Sequence, residues 1–194
     1  LLWVPVAQAA PEAPTCDVKC SQPHLSLATD AWPWFLEGYS LIASYESDRL
    51  PRVRLHGEVF GITLPPWLSD TYEPNRNEEW SRRIDWAAMF SFDHHPLVNL
   101  EGFHWGAGVN LHHSTVMRTG RSETFSYETI EPILRLGYQW FPSREKGLFI
   151  TPYLAVGFPI HLRDLAPIDG ETYEEATMLP LGSIQVGWRL PLAR

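Results

Sequence analysis

The sequence predicts an all-β fold: a closed, antiparallel, up-and-down transmembrane β-barrel of about eight strands. Stretches of roughly ten to sixteen residues alternate large apolar with small or polar side chains, which is typical of membrane-spanning strands. The connections between these stretches alternate between short and long. A membrane-spanning helix needs about 18 consecutive apolar residues, and no apolar stretch in the sequence approaches this length. At 194 residues, with 44% hydrophobic and 20% charged residues, we expect one folded domain.

The alternation is clearest over residues 128–141. One face carries apolar side chains, namely Ile130, Pro132, Leu134, Leu136, Tyr138 and Trp140. The other face carries Glu131, Arg135, Gly137 and Gln139. Because side chains alternate between the two faces of a strand, one face suits lipid and the other suits a polar interior.

The remaining strands are predicted over residues 24–32, 34–45, 52–63, 84–93, 100–114, 147–162 and 177–190. The stretch at residues 24–32 is included because bacterial single-chain barrels have an even number of strands. An eight-stranded barrel has an interior just wide enough to be filled by its own side chains. We therefore expect no aqueous pore.

The predicted connections fall into two groups. Residues 46–51, 94–96 and 142–146 form short turns, whereas residues 64–83, 115–126 and 163–176 form longer loops. In outer-membrane barrels the short turns are periplasmic and the long loops extracellular. We expect residues 64–83 and 163–176 at one end of the barrel and residues 142–146 at the other.

The strand pattern also predicts which side chains face outward and which face inward. The residues expected to face lipid are Ile130, Leu134, Leu136, Ile150, Leu154, Val156, Ile184 and Val186. The charged residues expected in the interior, as paired networks, are Arg54, His56, Glu58, Asp85, Glu131, Arg135 and Arg189. Trp86, Trp105, Trp140 and Trp188 lie near strand ends, where tryptophan is enriched at the membrane interface. Four prolines, Pro132, Pro152, Pro159 and Pro180, count against regular ladders and predict bulges, strand ends near the interface or an incomplete barrel.

The N-terminal segment resembles the end of a secretory signal peptide. Residues 1–6 are mostly apolar and run into Ala7-Gln8-Ala9, a small-x-small cleavage pattern. We assign residues 1–9 to a signal-peptide remnant, 10–23 to an N-terminal periplasmic segment and 24–194 to the barrel. A short apolar strand is the other interpretation of residues 1–9. Cys16 and Cys20 are placed to form a small local disulfide in an oxidising compartment.

Charge and motifs exclude several classes of function. The net charge of -8 argues against nucleic-acid binding, which needs a basic surface. The sequence contains no Gly-rich phosphate loop, zinc-type spacing or dinucleotide-binding fingerprint, so we expect no cofactor and no metal. His94 and His95 precede Pro96 and are interpreted as part of a solvated turn.

The C-terminal stretch Gln185-Val-Gly187-Trp-Arg-Leu190-Pro-Leu192 resembles the signal carried by the last strand of bacterial outer-membrane barrels. Over residues 24–192 the chain is similar in pattern to small barrels of this Gram-negative class. The resemblance implies an outer-membrane location, contact with outer-membrane lipid and recognition of the C-terminal strand by the barrel assembly machinery. It also implies roles that range from structural stabilisation and adhesion to lipid modification. We expect a non-enzymatic integral barrel, with a soluble exported barrel that binds an apolar ligand as one alternative.

A second alternative comes from His112-His113-Ser114-Thr115, which resembles the His-x-Ser-Asn motif of the outer-membrane lipid A deacylases. The resemblance implies His112 as the base, Ser114 as the nucleophile and Glu128 or Glu123 as the acidic third member. Thr115 replaces the Asn of that motif. Moreover, His112 and Ser114 share a glycine-rich face that we assign to the lumen. We therefore predict that Ser114 is not a nucleophile.

Overall fold

The computed structural model describes residues 23–66, 80–97, 100–143, 147–168 and 170–192. Over these residues the chain forms one short helix, α1 (Ala31–Phe35), and the strands β1 (His24–Asp30), β2 (Tyr39–Glu46), β3 (Val53–Leu64), β4 (Trp80–His94), β5 (Gly102–Arg118), β6 (Thr124–Ser143), β7 (Leu148–Gly157), β8 (Ile160–His161) and β9 (Leu179–Pro191). None of the helices in these ranges is long and apolar enough to cross a membrane.

The strands form one closed antiparallel sheet. Each strand from β1 to β6 pairs with the next, β6 pairs with β7, β7 with β9, and β9 with β1. The two-residue β8 pairs with β6 in the register of β7, since Ile133 opposes Gly157 and Ile130 opposes Ile160. β7 and β8 are therefore one strand interrupted at Pro159. The predicted closed up-and-down barrel of eight strands is confirmed.

Several predicted strand boundaries were wrong, including the start of β4, which lies at Trp80 and not at residue 84. Residues 31–35 form α1 and not parts of two strands, because Asp30 caps this helix by accepting a hydrogen bond from the Trp32 N–H at 3.2 Å. The helix also places Pro33 in its first turn, where a missing N–H costs nothing. Residues 115–118 and 124–126 belong to β5 and β6, so the predicted loop at 115–126 shrinks to residues 119–123.

The arrangement of the connections at two ends is confirmed by the strand directions. The upper end carries α1, the end of β3, the start of β4 and the segment between β8 and β9. The lower end carries the end of β6 and the start of β7. The strand ends that flank residues 64–83 and 163–176 therefore lie together, opposite those that flank 142–146. Residues 67–79 and 144–146 lie outside the described ranges, as do residues 1–22 with Cys16 and Cys20.

The distribution of side chains between the two faces is also confirmed. Of the apolar residues predicted to face outward, Ile130, Leu134, Leu136, Leu154, Ile184 and Val186 are exposed, and Ile150 and Val156 are half-buried. The four tryptophans near strand ends are exposed as well. The interior contains Arg54, His56, Glu58, Glu131 and Arg135, all buried. The barrel is thus apolar outside and charged inside.

Asp85 is the exception among the predicted interior charges. It lies at a β-bulge, where the pairing of β4 with β5 shifts between Ile84 and Trp86. The extra residue reverses the alternation, so Asp85 leaves the lumen and pairs with Arg83, whose Nε lies 2.6 Å from its Oδ1. Above the bulge, Arg82 takes an inward position instead and is buried.

The prolines interrupt ladders locally without opening the barrel. Pro132, Pro152 and Pro180 all lie within strands and point outward. The pairing of β6 with β7 omits Tyr138 and Gln139, opposite Pro152 and the residue before it. Because proline lacks a backbone N–H, such a gap is the expected consequence.

Candidate functional site in the barrel lumen

The lower half of the lumen is filled by charged side chains. Asp93, on β4, is the centre of one network: its Oδ2 lies 2.8 Å from His56 Nε2, and its Oδ1 lies 3.2 Å from Arg135 Nε. His104 Nε2 approaches the same carboxylate at 3.5 Å. These groups come from four different strands, so the network joins the wall across the interior.

A second network lies beside it. Glu46 Oε1 accepts a hydrogen bond from Arg54 Nε at 2.9 Å, and Glu46 Oε2 accepts one from Arg189 Nε at 2.6 Å. The Arg54 guanidinium also lies over the Phe149 ring, 5.0 Å from its centroid, and donates to Gln139. Buried charges need such partners, because an unpaired charge in a low-dielectric interior is costly. The lower lumen is therefore a packed plug, as the interpretation of paired interior charges predicted.

His95 extends this plug at the lower end of the barrel. The prediction of a solvated turn was wrong for this residue, because its side chain is fully buried and stacks on His104 at 4.8 Å between ring centroids. Burial, with smaller contributions from nearby Arg54 and His104, lowers the pKa of His95 to about 3. The imidazole is thus neutral at ordinary pH.

The upper half of the lumen contains a cavity of about 420 Å³. Its walls are mainly apolar and include Phe60, Ile62, Met89, Ile133, Leu179 and Leu181. Towards the lower plug it is bordered by Arg135 and by Tyr153, whose hydroxyl donates to Asp30 Oδ2 at 2.6 Å. Cavities of this size and character accommodate small organic molecules.

The segment between β8 and β9 covers the cavity from above. Ile168 and Tyr173 are buried, and the Tyr173 ring packs edge-on against Trp80 at 5.8 Å. Glu175 lies at the mouth, where it forms an ion pair with the buried Arg82. A small apolar core and one buried ion pair therefore hold this segment in the barrel mouth, and we call residues 162–168 and 170–178 the mouth segment.

One side of the cavity is walled by α1 and not by a strand. β9 pairs with β1 only up to the pair of Asp30 with Gln185, so over the described residues Leu179–Ile184 has no ladder partner on that side. Trp32 and Pro33 of α1 line the cavity at this position. Trp34 and Phe35 project outward and are exposed. The barrel wall is thus locally helical next to the cavity.

Carboxylates outnumber available cations in the cavity lining. Its two arginines, Arg82 and Arg135, already form ion pairs with Glu175 and Asp93. Glu58 accepts a hydrogen bond from Ser40 at 3.0 Å, and no cation lies within ion-pair distance of it among the described residues. Glu131 accepts from Asn110 Nδ2 at 3.2 Å through Oε2, while its buried Oε1 has no hydrogen-bond partner.

The structure places His112 and Ser114 together but separates them from Glu128. Ser114 Oγ lies 3.1 Å from His112 Nδ1, and both side chains are buried in the lumen, as predicted from their shared face. Glu128 points to the outside of β6, where it lies 3.5 Å from His113. Glu128 as the third member of a triad was therefore wrong. The carboxylate that approaches His112 Nε2, at 4.0 Å, belongs to Glu131.

Arg82 and Glu175 are the residues of the site that the sequence did not reveal. The bulge at Asp85 hides the inward orientation of Arg82 from a period-two count, and Glu175 reaches the lumen only because the mouth segment folds back. Glu123, the other candidate for the acidic role, is exposed in the turn between β5 and β6. Over the described part of the chain, no group of three His, Cys, Asp or Glu side chains is placed to hold a metal ion.

Comparison with known proteins gives one distant structural likeness. No protein-family model matches the chain, and no curated protein sequence matches it. The crystal structure of neisserial surface protein A is similar to this chain with a TM-score of 0.41 and 9% sequence identity, over 88% of this chain and 95% of that one.

Proposed function

We propose that the protein is a non-enzymatic integral β-barrel of the bacterial outer membrane. The observation that carries this proposal is the uncharged outer face of β6 from Ile130 to Trp140. Ten residue steps measure about 34 Å along a strand. At a tilt of about 40° they span about 25 Å, which is the height of the apolar band of outer-membrane barrels.

The neighbouring strands continue the band. Their outward positions at the same level are apolar and include Leu41, Val59, Phe90, Val109, Leu154 and Ile184, all of them exposed. Such a large contiguous apolar surface is unusual for a protein surrounded by water. The lower edge of the band consists of exposed aromatic rings, which suit the headgroup region: Tyr45, Phe92, Trp105, Tyr138, Trp140 and Trp188.

The interior supports a binding or structural role rather than a channel. The two networks around Asp93 and Glu46 fill the lower lumen, so the proposed barrel conducts nothing. Its partners are outer-membrane lipid and, through the C-terminal strand, the barrel assembly machinery. Pairing of β9 with β1 closes the barrel. We expect this pairing to be the last step of assembly.

Membrane fractionation tests the proposal. The full chain, expressed in a Gram-negative host, is expected in the outer-membrane fraction after an alkaline wash. It is also expected to run at different positions on a gel before and after boiling, as closed barrels do. Recovery of a folded protein in the soluble periplasmic fraction would instead support the soluble barrel that binds an apolar ligand.

A lipid A deacylase-like hydrolase is the second candidate, favoured by the distance of 3.1 Å between Ser114 Oγ and His112 Nδ1. Two features weigh against it. Arg82 Nη2 lies 3.5 Å from the same Nδ1, so a donor already faces the nitrogen that would accept the serine proton. Both side chains also lie inside the barrel and not on the lipid-facing surface.

A further inference from the structure

We propose that the upper cavity of the lumen is a binding site for an amphipathic organic cation, a molecule with a protonated amine and a short apolar body. This inference deepens the proposed function, since it assigns a ligand class to the lumen of the membrane barrel. It rests on the shape of the cavity and on the charges that line it.

The position of the cationic head group is inferred from one row of paired residues across four strands. Glu58 opposes Met89, Met89 opposes Asn110, and Asn110 opposes Glu131, so these residues form one row across β3, β4, β5 and β6. Three strand spacings of about 4.8 Å separate the two glutamates by about 14 Å along the wall. Because their side chains point inward on a curved wall, the carboxylates converge on the cavity.

The row is short of hydrogen-bond donors and of positive charge, since the one ion-pair contact of Glu131 among the described residues is His112 Nε2 at 4.0 Å. Glu131 is only 4% exposed, and its Oε1 has no hydrogen-bond partner, nor has Oδ1 of the buried Asn110. Glu58 is 5% exposed and has a serine hydroxyl but no cation. An ammonium group offers three donors and one positive charge. It therefore satisfies acceptors that the protein itself leaves unpaired, at a depth where unpaired acceptors are costly.

The apolar body of the ligand is inferred from the rest of the cavity lining. Above the row, Phe60 and Ile62 face the cavity. Ile133 lies one inward position below Glu131, and Leu179 and Leu181 complete the wall beside α1. None of these side chains offers a hydrogen bond. An alkyl chain of a few carbons fits this volume, whereas a sugar or a free phosphate would leave its polar groups unpaired against these walls.

The experiment compares three eight-carbon probes with different head groups: octylammonium, octan-1-ol and octanoate. Binding to the full chain in lipid nanodiscs is measured by titration calorimetry, with empty nanodiscs as the reference. Octylammonium is expected to bind at one site, with at least about tenfold higher affinity than the other two probes. Equal affinity for octan-1-ol or octanoate would overturn the assignment of a cation.

Two pairs of variants locate the site. The double variant Glu58→Gln/Glu131→Gln preserves side-chain volume and is expected to weaken octylammonium binding by about tenfold or more. Its control, Glu128→Gln, removes an outward carboxylate from the same strand and is expected to change nothing. Ala155→Phe fills the cavity and is expected to abolish binding, whereas Val156→Phe adds the same ring to the outer surface.

Folding of each variant is checked by the gel shift on boiling. If the double glutamine variant does not fold, the probe series and the Ala155→Phe variant still decide the matter. Absence of octylammonium binding to the folded wild-type barrel, or binding that Ala155→Phe leaves unchanged, would overturn the inference. Either result would leave the proposed membrane barrel intact, because fractionation tests that claim independently.

Discussion

Ser114 Oγ lies 3.1 Å from His112 Nδ1 in the interior of the barrel, and Arg82 Nε lies 3.3 Å from the same hydroxyl. The pair has the spacing of a nucleophile and its base. However, the guanidinium of Arg82 contacts both members, and this cation is held in turn by Glu175. The hydroxyl and the imidazole are therefore parts of a polar network that anchors the mouth segment.

We predict that Ser114 is not a nucleophile. Purified wild-type protein is expected to release no acyl chain from lipid A, and Ser114→Ala is expected to behave in the same way. Acyl release by the wild type that disappears in Ser114→Ala would establish the hydrolase instead. Thr115→Ala, at the next position of β5, is the control for a loss of acyl release that any substitution in this part of the strand would cause.

The ion pair of Arg82 with Glu175 is predicted to stabilise the closed mouth. Glu175→Ala leaves a buried guanidinium without its carboxylate, and loss of one partner of a buried pair costs about 3–5 kcal/mol. We expect a decrease of this order in the free energy of unfolding, measured by urea titration in lipid vesicles. The double variant Arg82→Met/Glu175→Leu is expected to recover most of it. A single variant as stable as the wild type would show that the pair does not hold the mouth segment.

Close packing of the lower plug predicts that Gly106 cannot accept a side chain. A Cβ at this position would clash with Asp93 Oδ1 and with the Phe92 carbonyl oxygen. Gly106→Ala is therefore expected to lower the free energy of unfolding by about 1–3 kcal/mol. Gly57→Ala is the matched control, because a Cβ there meets only the Phe90 ring at 3.9 Å. Equal stability of the two variants would contradict a packed interior.

Burial of His95 predicts a specific dependence of stability on pH. Its pKa falls from an ordinary 6.5 to about 3 in the folded protein, so between these values the unfolded state binds more protons. The contribution of His95 to the free energy of unfolding should therefore decrease as the pH falls from 6.5 towards 3. His95→Asn does not titrate, and urea titrations of both proteins across this range give the contribution by difference. A difference that stays constant with pH would show that His95 is not buried as described.

The sequence could predict which side chains face outward and which face inward, because this depends only on the local alternation along each strand. Leu134 with Arg135, and Ile184 with Gln185, lie on opposite faces as their neighbours require. Local alternation predicted seven strands, and the eighth, at residues 24–32, was added because bacterial single-chain barrels have an even number of strands. The interrupted strand through Pro159 was predicted as one element, residues 147–162, from its apolar alternation. Its register with β6 continues on both sides of the interruption.

The upper half of the barrel was less predictable, because its features depend on contacts between distant segments. Asp85 was misplaced since a bulge adds one residue to β4 without a clear mark in the sequence. The helix α1 had a signal, Asp30 followed by Pro33, but apolar residues on both sides obscured it. The cavity exists because α1 shortens β1 and β2, and because the mouth segment folds back so that Glu175 pairs with Arg82. The alternation of side chains along a strand predicts neither feature.

The central claim, that the apolar outer face lies in lipid, is tested most directly by spin labels at Leu136→Cys and Leu154→Cys. In a background with Cys16 and Cys20 replaced by Ser, both labels in lipid vesicles are expected to be accessible to oxygen and shielded from a water-soluble nickel complex. A label at Ser122→Cys, in the exposed turn between β5 and β6, should show the reverse. Labels at Leu136 and Leu154 that the nickel complex reaches as readily as the label at Ser122 would contradict a membrane-spanning barrel.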